Sequence, residues 1–292
     1  MKLNPYVAIY IGIMVISFGS IFAKMSTAPS LIIASYRLVF AALLMTPFMF
    51  FKGWNEFKRI KGKLLAWTLL SGIFLALHFA TWISSLKYIS VSSSVVLVAL
   101  QPVFVALGSK VILKEKLPGK ALLTGAVALV GTFIIGLGDL RLGGEALGGD
   151  FLAIAGAFFA ALYWMVGRYA RRELSVSVYT YLVYSICAIL LFTFSAWQKL
   201  PLFAYPAREW LLFLGAALVP TFGGHSLFNW ALGYVPSFVV SVAILGEAIG
   251  ATMLAFFLLG EIPSSTQLIG GALILIGLYL FLKEMAKNPA NT

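Results

Sequence analysis

The feature that most constrains the fold of this chain is a succession of ten apolar stretches separated by short polar breaks. A helix needs about 20 mostly apolar residues to cross a bilayer. A backbone in hydrocarbon must also satisfy its own N–H and C=O groups, as a helix does. We therefore predict an all-α integral membrane protein with ten transmembrane helices. The stretches cover about 5–23, 29–51, 64–86, 91–113, 119–138, 149–167, 176–197, 210–232, 236–259 and 264–282.

Little sequence remains outside these stretches. The longest breaks, at 52–63, 138–149 and 198–209, are too short for an aqueous domain. Hydrophobic residues make up 61% of the 292 and charged residues 11%, whereas soluble domains average about half and a quarter. The composition is that of a membrane protein, and the short breaks argue against an enzyme with an aqueous catalytic domain. The first apolar stretch is longer than a typical signal-peptide core, so we expect it to remain as a transmembrane helix.

The positions of lysine and arginine predict the orientation. With the N-terminus in the cytoplasm, the cytoplasmic segments hold 14 of these residues and the opposite segments five. Cytoplasmic loops are typically enriched in them, so we expect both termini inside a cell inner (plasma) membrane. The net charge of +11 then reflects loop placement rather than nucleic-acid binding. The single cysteine, Cys187, lies in an apolar stretch and is expected to serve packing.

The two halves of the chain resemble each other. A shift of 146 residues brings LKYISVSSSVV (86–96) onto LGYVPSFVVSV (232–242) and matches Glu115 with Glu261. We divide the chain into repeats at 1–138 and 149–285. Because each repeat holds an odd number of helices, five, the second enters the membrane from the opposite side. Inverted repeats of this kind are typical of transporters that bind substrate near the bilayer midplane and alternate access by rocking.

Several segments together resemble the EamA-type transporters of the drug/metabolite transporter superfamily. They are APSLIIASYRLVFAALL (28–44), LKYISVSSSVVLVALQPVFVAL (86–107), GDFLAIAGAFFAALYWMVGR (149–168) and the segment 232–280. The resemblance implies ten helices, a central cavity lined by helices 1, 3, 4, 6, 8 and 9, and movement of small metabolites, often outward. The family often has Glu-Pro in helix 9, whereas this chain has Glu247-Ala248. The matching position in helix 4 keeps its proline, in Gln101-Pro102, and there we expect a helix break.

Glu247 is the residue that most directly suggests a function. It lies near the centre of helix 9, where translocon scales put the cost of an ionised side chain at about 2.5–3.5 kcal/mol. Two interpretations remain open: a substrate ligand or proton-coupling group, and a neutral acid that is hydrogen-bonded between helices. Gly246 and Gly250 flank it and allow close approach of another helix. Gln101 has the same register in the other half, so we expect the two residues to face each other.

Helices 3 and 8 each carry a histidine, with a second polar or aromatic group on the same face. His78 and Trp82 are spaced i, i+4, as are His225 and Asn229. An imidazole can donate, accept or carry a proton, and an indole gives a flat wall with one N–H, so these residues are candidates for the cavity lining. The alternative is ordinary interhelical hydrogen bonding. Neither histidine has a second ligand at metal-binding spacing, so no zinc site and no cofactor are expected.

Three further sets of residues could have either a functional or a structural role. Tyr163 and Trp164 of helix 6 are either cavity residues or core. Arg37, inside helix 2, could attract an anionic substrate, or pair with carbonyls and extend outward; we favour a structural role because helix 2 is peripheral in the resembling family. The repeated Glu115 and Glu261 are interpreted as anchors of helix ends and loops, with gates as a further reading.

These observations predict a secondary transporter. Its substrate would be a small polar or amphipathic, amino-acid-like metabolite, exported by alternating access around a midplane cavity, with protons as a candidate coupling ion. The alternative is a multidrug exporter of hydrophobic cations with Glu247 as the counter-ion. A membrane enzyme is disfavoured because no nucleophile–base motif is present, and a sensor because no signalling domain is. The expected partners are the substrate and membrane lipids, without nucleic acid, and the chain is a monomer or a homodimer.

Overall fold

The computed structural model describes residues 4–112, 119–140, 143–235, 240 and 243–286. Within these ranges the secondary structure is helical, without any strand. The all-α prediction is therefore confirmed for the described part of the chain. Glu115 and residues 236–239, 241 and 242 of the predicted helix 9 lie outside it.

Seven helical stretches among the described residues are long and apolar enough to cross a membrane. They are Pro5–Met25, Ser30–Phe57, Gly62–Ser85, Val91–Gly108, Gly144–Glu173, Val176–Trp197 and Ala207–Ala231. Two shorter apolar helices are Leu245–Leu259 and Ser265–Gly277. The chain is thus a multi-pass membrane protein.

Several of these stretches are divided into shorter elements. The α-helices are α1 (Pro5–Ile16), α2 (Phe18–Met25), α3 (Ser30–Phe48), α4 (Trp54–Phe57), α5 (Gly62–Ser85), α6 (Val91–Val98), α7 (Gln101–Ile112), α8 (Gly119–Leu140), α9 (Gly144–Glu173), α10 (Val176–Trp197), α11 (Ala207–Ala216), α12 (Ser226–Ala231), α13 (Leu245–Leu259) and α14 (Ser265–Ala286). Two π-helices, Met49–Gly53 and Ala217–His225, join α3 to α4 and α11 to α12.

The helix ends follow local chemistry. The side chain of Asn4 accepts a hydrogen bond from the N–H of Tyr6 at 2.9 Å, and Pro5 follows at the first helical position. Ser90 caps α6 in the same way through Ser93 N–H at 3.1 Å. Gly260, with φ 68°, ends α13 in the left-handed conformation that a glycine adopts without strain.

The helices near the centre of the molecule are interrupted at two places. α6 ends at Val98 and α7 begins at Gln101. The helix is therefore interrupted just before Pro102, as expected because proline has no backbone N–H to donate. The second interruption is the π-helix Ala217–His225, which contains Pro220 and was not predicted from the sequence. Such π turns arise where the regular hydrogen-bond ladder is disturbed, and they are frequent at functional sites.

Helix 6 is longer than its apolar stretch. The sequence predicted 149–167, but α9 spans Gly144–Glu173. The polar residues at its end continue the helix because their side chains find partners there. Arg171 Nε donates to Asn229 O at 2.8 Å, and Arg168 Nη1 donates to Val235 O.

The largest helix contacts pair α5 with α9, α10 with α3, and α8 with α14. The last pair meets through glycines. A Cβ on Gly131 would lie 2.5 Å from Gly270 O, and a Cβ on Gly270 would lie 2.6 Å from Gly131 O. These two glycines therefore bring α8 and α14 together within one chain. Cys187 is buried and free, which agrees with the packing role expected for it.

The contact of α8 with α14 makes a stability prediction. Gly131→Ala should destabilise the protein by about 1–3 kcal/mol, because the added methyl group overpacks the interface. This loss outweighs the gain of up to ~1 kcal/mol that alanine brings within a helix. Gly148→Ala is the matched control, since a Cβ there meets nothing within 4 Å. Thermal unfolding in detergent should separate the two variants, and equal melting temperatures would contradict the proposed contact.

Candidate functional site

A narrow cavity lies at the centre of the described structure. Its volume is about 20 Å³. This space is divided between the side chains, and it admits a water-sized occupant rather than a metabolite. The lining residues are Ile16, His78, Trp82, Val98, Gln101, Ala160, Tyr163, Trp164, His225, Ile244 and Glu247.

Seven of the eight residues selected from the sequence lie around this cavity. Asn229 is the exception, because it lies behind the lining and accepts a hydrogen bond from Tyr163 OH at 2.7 Å. Gln101 and Glu247 contribute to the same cavity from α7 and α13, as their shared register suggests. Gln101 Oε1 also accepts from the indole N–H of Trp164 at 3.1 Å. The structure thus brings the candidates from both halves of the chain to one place.

The aromatic part of the lining consists of two stacked pairs. The rings of His78 and Trp82 are 5.7 Å apart and nearly parallel, at 4°. Those of Trp164 and His225 are 6.0 Å apart, at 10°. Phe79 contacts His225 edge-on at 5.4 Å and so connects the two pairs. The cavity is therefore walled by flat, polarisable surfaces that suit an apolar or aromatic group.

The two imidazoles differ in their hydrogen bonds. His78 Nδ1 lies 2.9 Å from the carbonyl oxygen of Gly156. Because a carbonyl can only accept, we assign the hydrogen of a neutral His78 to Nδ1. His225 Nδ1 is buried and has no hydrogen-bond partner in the described part of the chain. His225 is thus available to a ligand or to a water molecule.

A polar network supports the cavity from behind. Asn229 Nδ2 donates to Tyr184 OH at 3.3 Å, and Tyr184 OH lies 3.3 Å from Ser226 Oγ. With the bond from Tyr163 OH to Asn229, the chain of contacts runs from the cavity to α10. Buried networks whose members are satisfied hold side chains in fixed orientations. Asn229 therefore affects the cavity indirectly, by accepting the hydrogen bond that holds the hydroxyl of Tyr163.

Glu247 faces the interior of the protein. Its residue exposure is 9%, and its side chain borders the cavity. No hydrogen bond or ion pair of its carboxylate is found among the described residues. α1 and the residue after it pack tightly beside this acid: a Cβ on Gly246 would lie 2.8 Å from Ile13, and one on Gly250 would collide with Ser17 Oγ. The acid thus lies beside a void and not against lipid.

The structure reveals Arg37 as a central residue that the sequence analysis placed at the periphery. Its side chain does not extend outward: the residue is 1% exposed, and Nε donates to Thr221 Oγ1 at 2.5 Å. The guanidinium carbon lies 4.4 Å from the ring centre of Phe79 and 5.7 Å from that of Trp82. The signal that singled out Glu247, a lone charge within an apolar stretch, also marks Arg37.

A second polar group joins the helix ends at one side of the molecule. We call it the helix-end cluster; it consists of Lys24, Ser26, Thr27, Lys87, Glu209 and Glu261. It connects the ends of α2, α5 and α13 with the beginnings of α3, α6 and α11.

One part of the helix-end cluster centres on Lys24 and Glu261. Lys24 Nζ donates to Leu86 O and Ile89 O, each at 2.8 Å, and lies 3.7 Å from Glu261. Glu261 also accepts from Val91 N–H at 2.8 Å. Glu261 therefore does anchor a helix end, through contacts between the two halves of the chain.

The other part of the helix-end cluster centres on Glu209. Its carboxylate accepts from the N–H of Thr27 at 3.0 Å, from the hydroxyl of Thr27 at 2.9 Å and from Ser26 Oγ. Lys87 Nζ donates to Ser26 O at 3.0 Å. Desolvation lowers the pKa of Lys87, the charge of Lys24 lowers it further, and the charge of Glu209 opposes both. The cluster thus holds several charges in one connected arrangement.

Among the residues that the structure describes, no three His, Cys, Asp or Glu side chains are close enough to hold a metal ion.

The family model named "EamA-like transporter family" matches this chain twice, at 4–137 and at 147–283. The chain belongs to the EamA-like transporter family. This result confirms the resemblance to EamA-type transporters seen in the sequence. As a member of this family the protein is a membrane transporter and not an enzyme.

Two relatives of this EamA-like protein are transporters without an assigned substrate. An "Uncharacterized transporter" of Archaeoglobus fulgidus is 25% identical over 279 residues, which cover 95% of this chain and 96% of the relative. "Uncharacterized transporter YyaM" of Bacillus subtilis is 22% identical over 250 residues, covering 84% and 81%. A solved structure titled "Crystal structure of protein" superposes with a TM-score of 0.69 at 17% identity, over 94% of this chain and 96% of that one. This last likeness concerns the fold alone.

The hydrogen bonds among Tyr163, Asn229 and Tyr184 predict that removal of one hydroxyl lowers the stability of the protein. Tyr163→Phe should lower stability by about 1–2 kcal/mol, because it leaves the buried oxygen of Asn229 without its donor. Tyr181→Phe is the control: this hydroxyl lies on neighbouring α10 and makes no hydrogen bond in the described structure. Thermal unfolding in detergent should show the loss for Tyr163→Phe. A loss of the same size in the control would contradict the role of the network.

Proposed function

We propose that the protein is a secondary transporter that exports a small polar or amphipathic, amino-acid-like metabolite by alternating access. The observation that carries this proposal is Glu247, a single carboxylic acid in an apolar helix, which borders a central cavity walled by two histidine–tryptophan pairs. A charge at bilayer depth is tolerated where it faces a wet cavity or a bundle interior, and there it commonly marks a substrate or proton pathway.

The proposed architecture has ten transmembrane helices in two inverted repeats, 1–138 and 149–285. The double match of the family model, at 4–137 and 147–283, supports this division. The excess of lysine and arginine in alternate loops supports an inner-membrane location with both termini in the cytoplasm. An odd number of helices in each half makes the repeats inverted and places the binding site between them.

The proposed substrate site comprises the eight selected residues. Trp82 and Trp164 offer flat apolar surfaces, while Glu247, Gln101 and the histidines offer polar contacts; Asn229 and Tyr163 hold the wall in place. A molecule with an apolar body and a polar head matches this lining. The cavity is narrow in the present conformation, so substrate entry requires the two halves to separate.

Glu247 is also the proposed proton carrier. It has no fixed protein partner among the described residues, so substrate and proton can occupy it in turn. A proton bound from outside would release the substrate, and loss of the proton inside would restore the site. In this scheme the two ligands exclude one another, which couples export to proton entry.

The helix-end cluster is the proposed outer gate. The distribution of lysine and arginine assigns its loops to the outer face. Its bonds join the two halves, as in the pair of Lys24 and Glu261. The cluster therefore closes the outer side in this conformation, and it would have to separate for release outward.

A multidrug exporter of hydrophobic cations remains the second candidate. The aromatic walls and the buried carboxylate favour it, because a cation stacks on indole and pairs with an acid. The buried guanidinium of Arg37 disfavours it, since a second cation would be repelled at short range.

Glu247→Gln is the first test of this proposal. In proteoliposomes offered amino acids, purines, sugars and organic cations, the wild type should export a substrate of the first class faster under a pH gradient. Glu247→Gln should lose this acceleration by at least about tenfold, because the amide carries no proton at any ordinary pH. A variant whose flux still follows the gradient would remove Glu247 from the coupling step. Competition by hydrophobic cations that depends on Glu247 would favour the second candidate.

The outer gate predicts a change in access to the cavity. In a Cys187→Ala background, Val98→Cys places a thiol in the cavity lining. Glu261→Gln should raise its labelling by an impermeant reagent from outside about fivefold, which corresponds to ~1 kcal/mol in the open–closed equilibrium. Glu145→Gln, at an exposed acid outside the cluster, should leave the rate unchanged. Labelling of the thiol at the wild-type rate in both variants would contradict the proposed outer gate.

A further inference from the structure

Arg37 has more hydrogen-bond donors than its surroundings use. Nε is bonded to Thr221, but Nη1 and Nη2 are buried without a hydrogen-bond partner in the described part of the chain. No carboxylate of that part lies within 4.0 Å of the guanidinium. A buried charge without partners is costly, and a specific unsatisfied group calls for an explanation, such as an absent ion or ligand.

Other unused donors lie on α2 and α5, the two helices that approach Arg37 through Gly19 and Trp82. Ser20 Oγ and the indole N–H of Trp82 are also buried and without partners in the described structure. The position of Gly19 shows how close these elements come. A Cβ there would lie 3.4 Å from Arg37 Nη1 and 3.4 Å from the ring of Trp82. A set of donors with one fixed positive charge is the chemistry of an anion site.

Glu247 is a buried acid that borders the central cavity. It does not form an ion pair with Arg37. Trp82 lies between Arg37 and the cavity, since it stacks near the guanidinium and also belongs to the lining. The guanidinium is therefore one side chain away from the cavity that Glu247 borders.

The plane of the guanidinium is set before any ligand arrives. Phe79 lies under it at 4.4 Å, and Thr221 holds Nε. The free edge is therefore the one that carries both Nη groups. A carboxylate fits this edge, because its two oxygens accept two parallel N–H bonds.

From these contacts we propose that Arg37, with Ser20 and Trp82, forms an anion subsite of the central cavity that receives the carboxylate of the transported molecule. This inference rests on the proposed transport function and adds the charge of the substrate to it. The substrate would then carry a carboxylate for Arg37, and any cationic group would be directed to Glu247. Arg37 would set specificity, with Phe79 and Thr221 as its positioning residues.

The test uses ring-matched probes that differ in the carboxylate alone: hydrocinnamate against hydrocinnamamide, and phenylalanine against phenylalaninamide. Phenethylamine represents the cations. Flux through proteoliposomes is measured for wild type, Arg37→Gln, Arg37→Lys and Arg59→Gln. Arg59 is the matched control, because it is an exposed arginine outside the cavity. Thermal unfolding confirms that each variant is folded.

We expect the wild type to prefer the carboxylate of each pair over its amide. Arg37→Gln should reduce this preference about 10- to 100-fold with little change in amide flux, as the loss of a charge-assisted hydrogen bond predicts. Arg37→Lys keeps the charge but loses the paired donors, so its preference for the carboxylate should lie between those of the wild type and Arg37→Gln. This variant provides the test if Arg37→Gln does not fold. Arg59→Gln should match the wild type.

Two results would overturn the subsite, and they differ from a failure of the transport proposal. Folded Arg37 variants that retain the full carboxylate preference would show that another group binds the anion. A wild type that moves phenethylamine and the amides as well as the carboxylates would show that no anion is recognised. A protein that moves none of the probes, and none of the broader substrate panel, would instead contradict transport itself.

Discussion

The cost of a charge in hydrocarbon governs this structure. A helix in lipid satisfies its own backbone, but an ionised side chain has to turn towards protein or water. Glu247 and Arg37 both do so, since both residues are buried in the interior of the protein. The two histidines, the two tryptophans and Tyr163 line the cavity that Glu247 borders. The rest of the bundle provides an apolar surface around this interior.

The sequence predicted much of the fold because hydrophobic length is a strong signal. The apolar stretches, the break before Pro102 and the burial of Cys187 all agree with the described structure. The placement of His78 and Trp82 on one face also followed from helical periodicity. These features depend on neighbours along the chain, and a single sequence contains that information.

Other features depend on contacts between helices that are far apart along the chain. Such contacts cannot be read from a single sequence. Arg37 was assigned a peripheral role because its helix, rather than its rotation, was considered. Asn229 shares a helix face with His225, yet it lies behind the cavity and supports Tyr163. The length of α9 was underestimated because the arginines at its end find carbonyl partners on other elements. In each case a tertiary contact decided the outcome.

The π-helix Ala217–His225 has a consequence for the relation between the two halves. A π turn accommodates an additional residue, so side chains after it occupy positions that an α-helix would give to their predecessors. Under the 146-residue shift His78 corresponds to Gly224, one residue short of His225. The wider turn compensates for this offset and lets a second imidazole reach the same space. The widened backbone thus places His225 against Trp164 and Phe79 in the cavity wall, where an unbroken α-helix would have presented Gly224.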